Sequence, residues 1–390
     1  MRNFLNSKIK EIKPSGIRKF FDIANQIEDC ISLGVGEPDF DTPWRIREEG
    51  IYALEKGKTF YTSNSGLFEL REAISQYLKR KYDLEYKAEG QILVTIGGSE
   101  AIDVALRCLV EDGDEVILPT PCYVSYAPCA TLAGAKVVEV PLSMKDGFVL
   151  TEEKLRAAIT PQSKILLLNY PNNPTGAILK KEDLEAIARV CLENNLFVIS
   201  DEIYSELCYG FSHYSIAGME GMQERTLVIN GFSKTFSMTG WRLGYACAPE
   251  RILKQMLKIH QFAIMCAPTT SQYAAIEALR SGDSDVELMR ETYDQRRRFL
   301  IQALRDMGLE CFEPFGAFYV FPSIKKLGMT SDEFAERLLK EEKVAVVPGT
   351  AFGLCGEGFL RISYAYSIED LKVALDRMEQ FVKRHLTLTY

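Results

Sequence analysis

Seven short apolar segments recur between residues 91 and 248, at 91–96, 115–118, 136–140, 164–169, 197–200, 226–230 and 244–248. Several are continuous hydrophobic runs, such as Ile165-Leu166-Leu167-Leu168. A strand without polar alternation is buried on both faces, which is the habit of parallel sheets covered by helices. A stretch with helical period precedes the first segment at 67–81, another lies between later ones at 181–193, and a helix continues from Gly97 toward Val110. The pattern predicts an α/β fold: a mostly parallel, seven-stranded-type sheet with flanking helices on both faces. Beyond about residue 282 the character changes to a charged helix at 287–307, strands at 317–321, 344–347 and 359–363, and helices at 331–341 and 369–383. That is a smaller α+β C-terminal domain, and 390 residues exceed what one core usually serves.

In such a sheet the chemistry gathers where strands end. Gly97-Gly98-Ser99-Glu100 follows a strand and opens a helix, so its free amides suit a phosphate, or simply cap the helix. Asn169-Tyr170-Pro171-Asn172-Asn173-Pro174-Thr175-Gly176 is a stiff turn that aims two side-chain amides, or a plain connection. Asp201 closes another apolar strand, three residues before Tyr204; a carboxylate there needs a cation or donors unless it caps a helix. Arg361 stands inside the apolar strand Phe359-Leu360-Arg361-Ile362-Ser363, where it awaits a carboxylate, either a ligand's or a fixed interdomain partner's. Between strands lies Gly231-Phe232-Ser233-Lys234-Thr235-Phe236-Ser237-Met238-Thr239-Gly240-Trp241-Arg242-Leu243-Gly244, a lysine among small and hydroxyl residues with an arginine eight positions on. A lysine is nucleophilic only as the neutral amine, so it needs desolvation or a cationic neighbour. A phosphate, a ring cation facing Asp201, an aldehyde for Lys234 and a substrate carboxylate would satisfy all these groups together, and pyridoxal 5′-phosphate has the required chemistry.

Other classes fit poorly. A net charge of −8 argues against nucleic acid or an anionic membrane. Ten scattered cysteines form no C-x-x-C pair, which removes metal clusters and disulfide frameworks and points to a reducing cytoplasm. Three histidines in unremarkable contexts leave no His triad and no metal site. Residues 1–14 are charged and lack an apolar signal core, and no run is long enough to span a bilayer. Gly34-Val35-Gly36-Glu37-Pro38 lacks the third glycine and following helix of a dinucleotide fingerprint.

Taken together, the lysine stretch, Asn169-x-Pro171-x-Asn173-Pro174-Thr175-Gly176, Ser200-Asp201-Glu202-Ile203-Tyr204, Gly36-Glu37-Pro38-Asp39-Phe40-Asp41-Thr42-Pro43 and Arg361-Ile362-Ser363-Tyr364 resemble the class I aminotransferases of the fold-type I pyridoxal-phosphate superfamily, in order and over nearly the whole chain. Ser15-Gly16-Ile17-Arg18-Lys19-Phe20, Gly316-Ala317-Phe318-Tyr319-Val320-Phe321-Pro322 and Val346-Val347-Pro348-Gly349 resemble the branch of aspartate, aromatic and N-acetyl-diaminopimelate aminotransferases. The resemblance implies that Lys234 forms the internal aldimine and shuttles the proton, that Asp201 pairs with the pyridinium nitrogen, and that Tyr204 and Asn173 bond the ring oxygen. Tyr123 would stack on the ring. Gly98, Ser99, Glu100, Ser233 and Arg242 would hold the phosphate, with Tyr61 reaching in from the neighbouring subunit of a homodimer. Arg361, Asn173 and Gly36 would bind the substrate carboxylate. It further implies an N-terminal segment (1–45) packed on the small domain (283–390) beside a cofactor-binding large domain (46–282). The expected reaction is ping-pong transfer from an amino acid, of aspartate or aromatic type, to a 2-oxo acid such as 2-oxoglutarate. N-acetyl-diaminopimelate transamination and C–S lysis are the alternatives, and a non-catalytic regulator is disfavoured. Ile17, Tyr61 and Phe352 are candidates for the side-chain pocket.

Overall fold

The structure is a computed structural model that describes residues 4–12, 14 and 27–386. The motif at 15–20, Ile17 included, lies outside the described residues. No helix among them is long and apolar enough to cross a membrane.

After a two-residue strand β1 (Ile31–Ser32), the seven expected segments appear as β2 (Ile92–Thr95), β3 (Glu115–Thr120), β4 (Lys136–Pro141), β5 (Ser163–Asn169), β6 (Phe197–Asp201), β7 (Thr226–Gly231) and β8 (Gly244–Cys247). They form one sheet in the order β2-β8-β7-β6-β5-β3-β4. Only β8 runs antiparallel to its neighbours. Alternate side chains serve two cores, because successive residues of a strand face opposite ways. Ile165, Leu167, Ile199, Leu227 and Ile229 pack under the helices Gly97–Leu109 and Glu250–Ala263. Leu166, Leu168 and Val198 face the opposite layer with the helix Lys181–Glu193. Edge strand β4 carries the sheet's exposed positions.

Two glycines set the site's floor. Gly97 has φ +74, a left-handed conformation that side chains resist, and a Cβ there would lie 2.8 Å from Arg242 Nη2. A Cβ on Gly244 would lie 2.7 Å from the Gly97 carbonyl carbon, so the helix N-terminus rests directly on β8.

The helix Asp283–Asp306 leads into the second unit: β9 (Glu310–Cys311), β10 (Tyr319–Val320), β11 (Pro322–Ser323), β12 (Val344–Ala345), β13 (Val347–Pro348) and β14 (Leu360–Ser363), with helices Ser331–Glu342 and Ile368–Leu386. The single strand expected at 317–321 is shorter and broken. Ala317 sits at φ +56, Tyr319–Val320 pair with β14, and Pro322–Ser323 turn to β9. The strand expected at 344–347 divides likewise, between β1 and β14. β1 pairs in parallel with β12, and Ser363 N–H donates to the Leu33 carbonyl at 2.8 Å, so residues 31–33 join the second unit's strands. Its apolar core is continuous with the large unit: Phe318 and Leu360 belong to the same cluster as Tyr204 and Phe236.

Candidate active site

The carboxyl ends of β5 and β6, the turn after β7, the helix that follows β2 and the start of the chain meet at a cavity of about 680 Å³. Gly36, Gly98, Ser99, Tyr123, Asn173, Asp201, Tyr204, Ser233, Lys234, Arg242 and Arg361 all line it. Glu100 and Tyr61 do not. The Glu100 carboxylate turns back to accept from Ile96 N–H at 2.5 Å and meets His260 Nδ1 at 2.6 Å, while Tyr61 points outward, 79% exposed.

Asp201 ends β6 in register with Asn169 of β5 and Ile229 of β7. Tyr126 Oη donates to Asp201 Oδ2 at 2.6 Å and Ile203 N–H donates to Oδ1 at 3.2 Å. Among the described residues no cation lies within ion-pair distance of Asp201, and burial pushes its carboxyl up to about 6 despite these donors. Lys234 is half-buried in the turn beyond β7, and its Nζ donates to the Gly36 carbonyl at 2.7 Å. Burial lowers its ammonium to about 8, Glu37 opposes that shift, and the Arg361 and Arg242 charges assist it. The turn itself is strained, since Ser237 and Arg242 hold φ of +52 and +53.

Arg361, 2% exposed on β14, donates from Nη1 to Asn173 Oδ1 at 3.0 Å and from Nη2 to the Gly34 carbonyl at 2.5 Å. Its guanidinium also lies 4.5 Å from the Tyr319 ring centroid and 4.8 Å from that of Phe352. Its buried Nε has no hydrogen-bond partner, and among the described residues no carboxylate lies within ion-pair distance. The fixed interdomain ion pair that could have explained Arg361 is therefore not there. At the other end, Gly98 and Ser99 begin the 13-residue helix Gly97–Leu109, and Arg242 lies against that N-terminus.

Sequence reasoning gives no role to three residues that shape this geometry. Tyr126 hydrogen-bonds Asp201; Asn169 links the Asp201 carbonyl to Asn173 N–H, at 3.0 and 3.1 Å; Tyr319 meets Tyr204 hydroxyl to hydroxyl at 2.8 Å. Tyr126 carries a faint signal, lying three residues after Tyr123 where a helix starts, whereas Tyr319 reads as core.

An orphaned cationic donor, an anion without a cation, a depressed lysine and a helix N-terminus thus share one cleft. A family model described as aminotransferase class I and II matches residues 28–378. A putative aminotransferase of Bacillus subtilis, YugH, is 51% identical over 384 residues, covering 98% of this chain and 100% of the relative. An aspartate aminotransferase of Pyrococcus abyssi is 49% identical over 382 residues, covering 97% of this chain and 98% of its own. The crystal structure of an aromatic aminotransferase from Pyrococcus horikoshii superposes with a TM-score of 0.90 at 48% identity, over 94% of this chain and 99% of that one. The chain belongs to the class I and II aminotransferases.

Proposed function

We propose that the chain transfers amino groups by a ping-pong mechanism with pyridoxal 5′-phosphate held in this cavity. The observation that carries this reading is the pair of uncompensated buried charges, Asp201 and Arg361, both within electrostatic reach of Lys234. Bound there, the cofactor supplies an aldehyde that condenses with amines and a protonated pyridine ring that withdraws electrons from substrate Cα.

The chain's own residues do the rest. Asp201, its carboxylate aligned by Tyr126 and the Ile203 amide, would hold a proton on the ring nitrogen. Tyr204 Oη and Asn173 Nδ2 would serve the ring oxygen, and Tyr123 would cover a ring face; all three line the cavity. Amides of Gly98 and Ser99, with Ser233 and Arg242, take the phosphate at the positive end of a helix; Glu100 contributes its backbone at most, since its carboxylate is engaged elsewhere. Arg361 and Asn173 orient the substrate α-carboxylate beside Gly36, which turns Cα toward Lys234. As a free amine, Lys234 Nζ accepts the Cα proton, and its lowered pKa makes that form accessible near neutral pH. Closure of residues 31–37 and the second unit over the cleft excludes water.

The division into a cofactor-binding unit (46–282) and a small unit (283–390) with the N-terminal segment is part of this reading. So is a homodimer in which Tyr61 completes the neighbour's phosphate site: Phe60, Tyr61 and Phe262 are 81, 79 and 87% exposed, an apolar surface suited to a second copy. All ten cysteines are free, in keeping with a reducing cytoplasm. Aspartate or an aromatic amino acid is the favoured donor and 2-oxoglutarate the acceptor, with transfer favoured over lysis.

The test is a half-reaction. An amino acid alone, added to the protein loaded with pyridoxal phosphate, should bleach the visible band and release one equivalent of 2-oxo acid. Release of ammonia or thiol instead would point to a lyase, and a spectrum indifferent to every amino acid would end the reading.

A further inference from the structure

We propose that Tyr319 is a positioning residue of this site: its ring seats the Arg361 guanidinium, and its hydroxyl fixes the direction in which Tyr204 donates. The proposal rests on the reading that Tyr204 faces a cofactor oxygen.

Arg361 must stay put yet keep donors free for a ligand. A carboxylate neighbour would hold it but would compete with the substrate for the same charge. An aromatic face attracts the guanidinium without consuming any N–H. Tyr319, 1% exposed, provides that face at 4.5 Å and leaves Nε unpartnered.

The hydroxyl does separate work. Tyr204 and Tyr319 hydroxyls lie 2.8 Å apart, and among the described residues neither makes another hydrogen bond. Each has one proton, so in the free chain either can donate. Once an anionic oxygen faces Tyr204, its proton must point outward, and Tyr319 must then donate to the Tyr204 oxygen. The result is a one-way chain, Tyr319 to Tyr204 to ligand, that strengthens the last link.

Gly36 reports independently on the same hydroxyl. Its φ is not in the left-handed region, so no backbone demand selects glycine. A Cβ there would stand 2.3 Å from Tyr319 Oη but 3.3 Å from Cζ. The space kept by Gly36 is the space of that oxygen.

Three variants, each checked for retained thermal stability, separate the two tasks. In Tyr319→Phe, the titration midpoint of the visible band of bound pyridoxal phosphate should rise by about half to one pH unit, a three- to tenfold loss in favour of the deprotonated ligand, with KM for the amino acid within about twofold. The apo-protein's affinity for pyridoxal phosphate should fall by a similar factor. In Tyr319→Leu the same shift should be joined by about a tenfold rise in KM as Arg361 loses its seat. Gly36→Ala should shift the midpoint as Tyr319→Phe does, and the double variant no further than Tyr319→Phe alone, because the 2.3 Å contact goes with the hydroxyl and the 3.3 Å contact to Cζ that stays needs only a few tenths of an ångström of relief. An unmoved midpoint in Tyr319→Phe, an unmoved KM in Tyr319→Leu, or additive shifts in the double variant would each overturn the proposal. A wild-type chain that forms no visible band with pyridoxal phosphate would instead overturn the cofactor reading beneath it.

Discussion

Two buried arginines of the second unit are fixed in opposite ways. Arg297 is 6% exposed and saturated: it meets Asp294 at 2.7 Å and Glu313 at 3.2 Å, donates to the Pro314 carbonyl at 3.0 Å, and lies near the Tyr209 and Phe315 rings. Arg361 is as deeply buried and has carbonyls and rings around it but, among the described residues, no anion. Two adjacent carboxylates repeat the contrast. Glu202 receives hydroxyls from Ser200 at 2.8 Å and Ser215 at 2.7 Å and meets His213 at 2.9 Å. Asp201, one residue earlier, has a phenol and an amide but, among the described residues, no cation. Ionisable groups whose partners are all in place hold the fold, while Arg361 and Asp201 are left without a counter-charge at a cost in stability. Burial alone would not have told them apart.

That comparison can be broken by mutation. The largest effect belongs to Lys234, the charge tuned by both unpaired groups: Lys234→Ala should abolish transamination while leaving the melting temperature no lower than wild type, and a variant that still turns over would refute the assignment. Next, Arg361→Ala should raise the barrier that sets kcat/KM by about 3–5 kcal/mol while costing the ligand-free chain less stability than Arg297→Ala, which should cost about 3–5 kcal/mol of unfolding free energy and little in KM. Parallel denaturation and kinetics on the two variants decide it; matching outcomes would erase the distinction. Smaller is the carboxylate pair. Asp201→Asn should stabilise the ligand-free chain at neutral pH by about 1–3 kcal/mol while losing activity, and Glu202→Gln should destabilise it by roughly 1–2 kcal/mol.

The smallest effects are in pH dependence, and the signs follow from the direction of each shift. Asp201 is raised from 3.8 to about 6, so the folded chain binds more protons than the unfolded one across that window. Its contribution to stability therefore falls as pH rises from about 4 to 6. Lys234 is lowered from 10.5 to about 8, so between those values the unfolded chain holds the extra proton and stability recovers as pH rises. Urea titrations of wild type against Asp201→Asn and Lys234→Met should show each slope vanish in its own variant. The rate at which the apo-protein condenses with an aldehyde should also climb through pH 8, as the amine is freed.

The large sheet was legible because several of its strands, such as Ile165–Leu168, are continuous apolar runs, and burial on both faces leaves such a run few other fates. The second unit was harder: 317–321 reads as one strand, yet a left-handed Ala317 and Pro322 divide its pairing between two partners that only the folded chain brings near. In the cleft, charge betrayed position. Lys234, Asp201 and Arg361 stand out because ionisable groups are costly among apolar neighbours. Tyr319 does not, since a tyrosine between Phe318 and Val320 looks like any core aromatic until its hydroxyl is located. Tyr126 and Asn169 act through hydrogen bonds spanning 75 and 32 residues, which no spacing rule encodes. The pocket for the substrate side chain has no such signal: Phe352 is 2% exposed against Arg361, and Tyr61 faces away from this chain's own cavity.

The pairing of β1 with β12 has a mechanical consequence. Gly34, which receives Arg361, and Gly36, which receives Lys234, lie on one short tether tied at Ile31–Ser32 to the strand bearing Val344–Ala345. Arg361 and Lys234 are therefore both hydrogen-bonded to carbonyls of one three-residue stretch, so a shift of either side chain strains the backbone that holds the other. A ligand that draws Arg361 away from the Gly34 carbonyl is thus felt at the Gly36 carbonyl two residues on, where Lys234 is held.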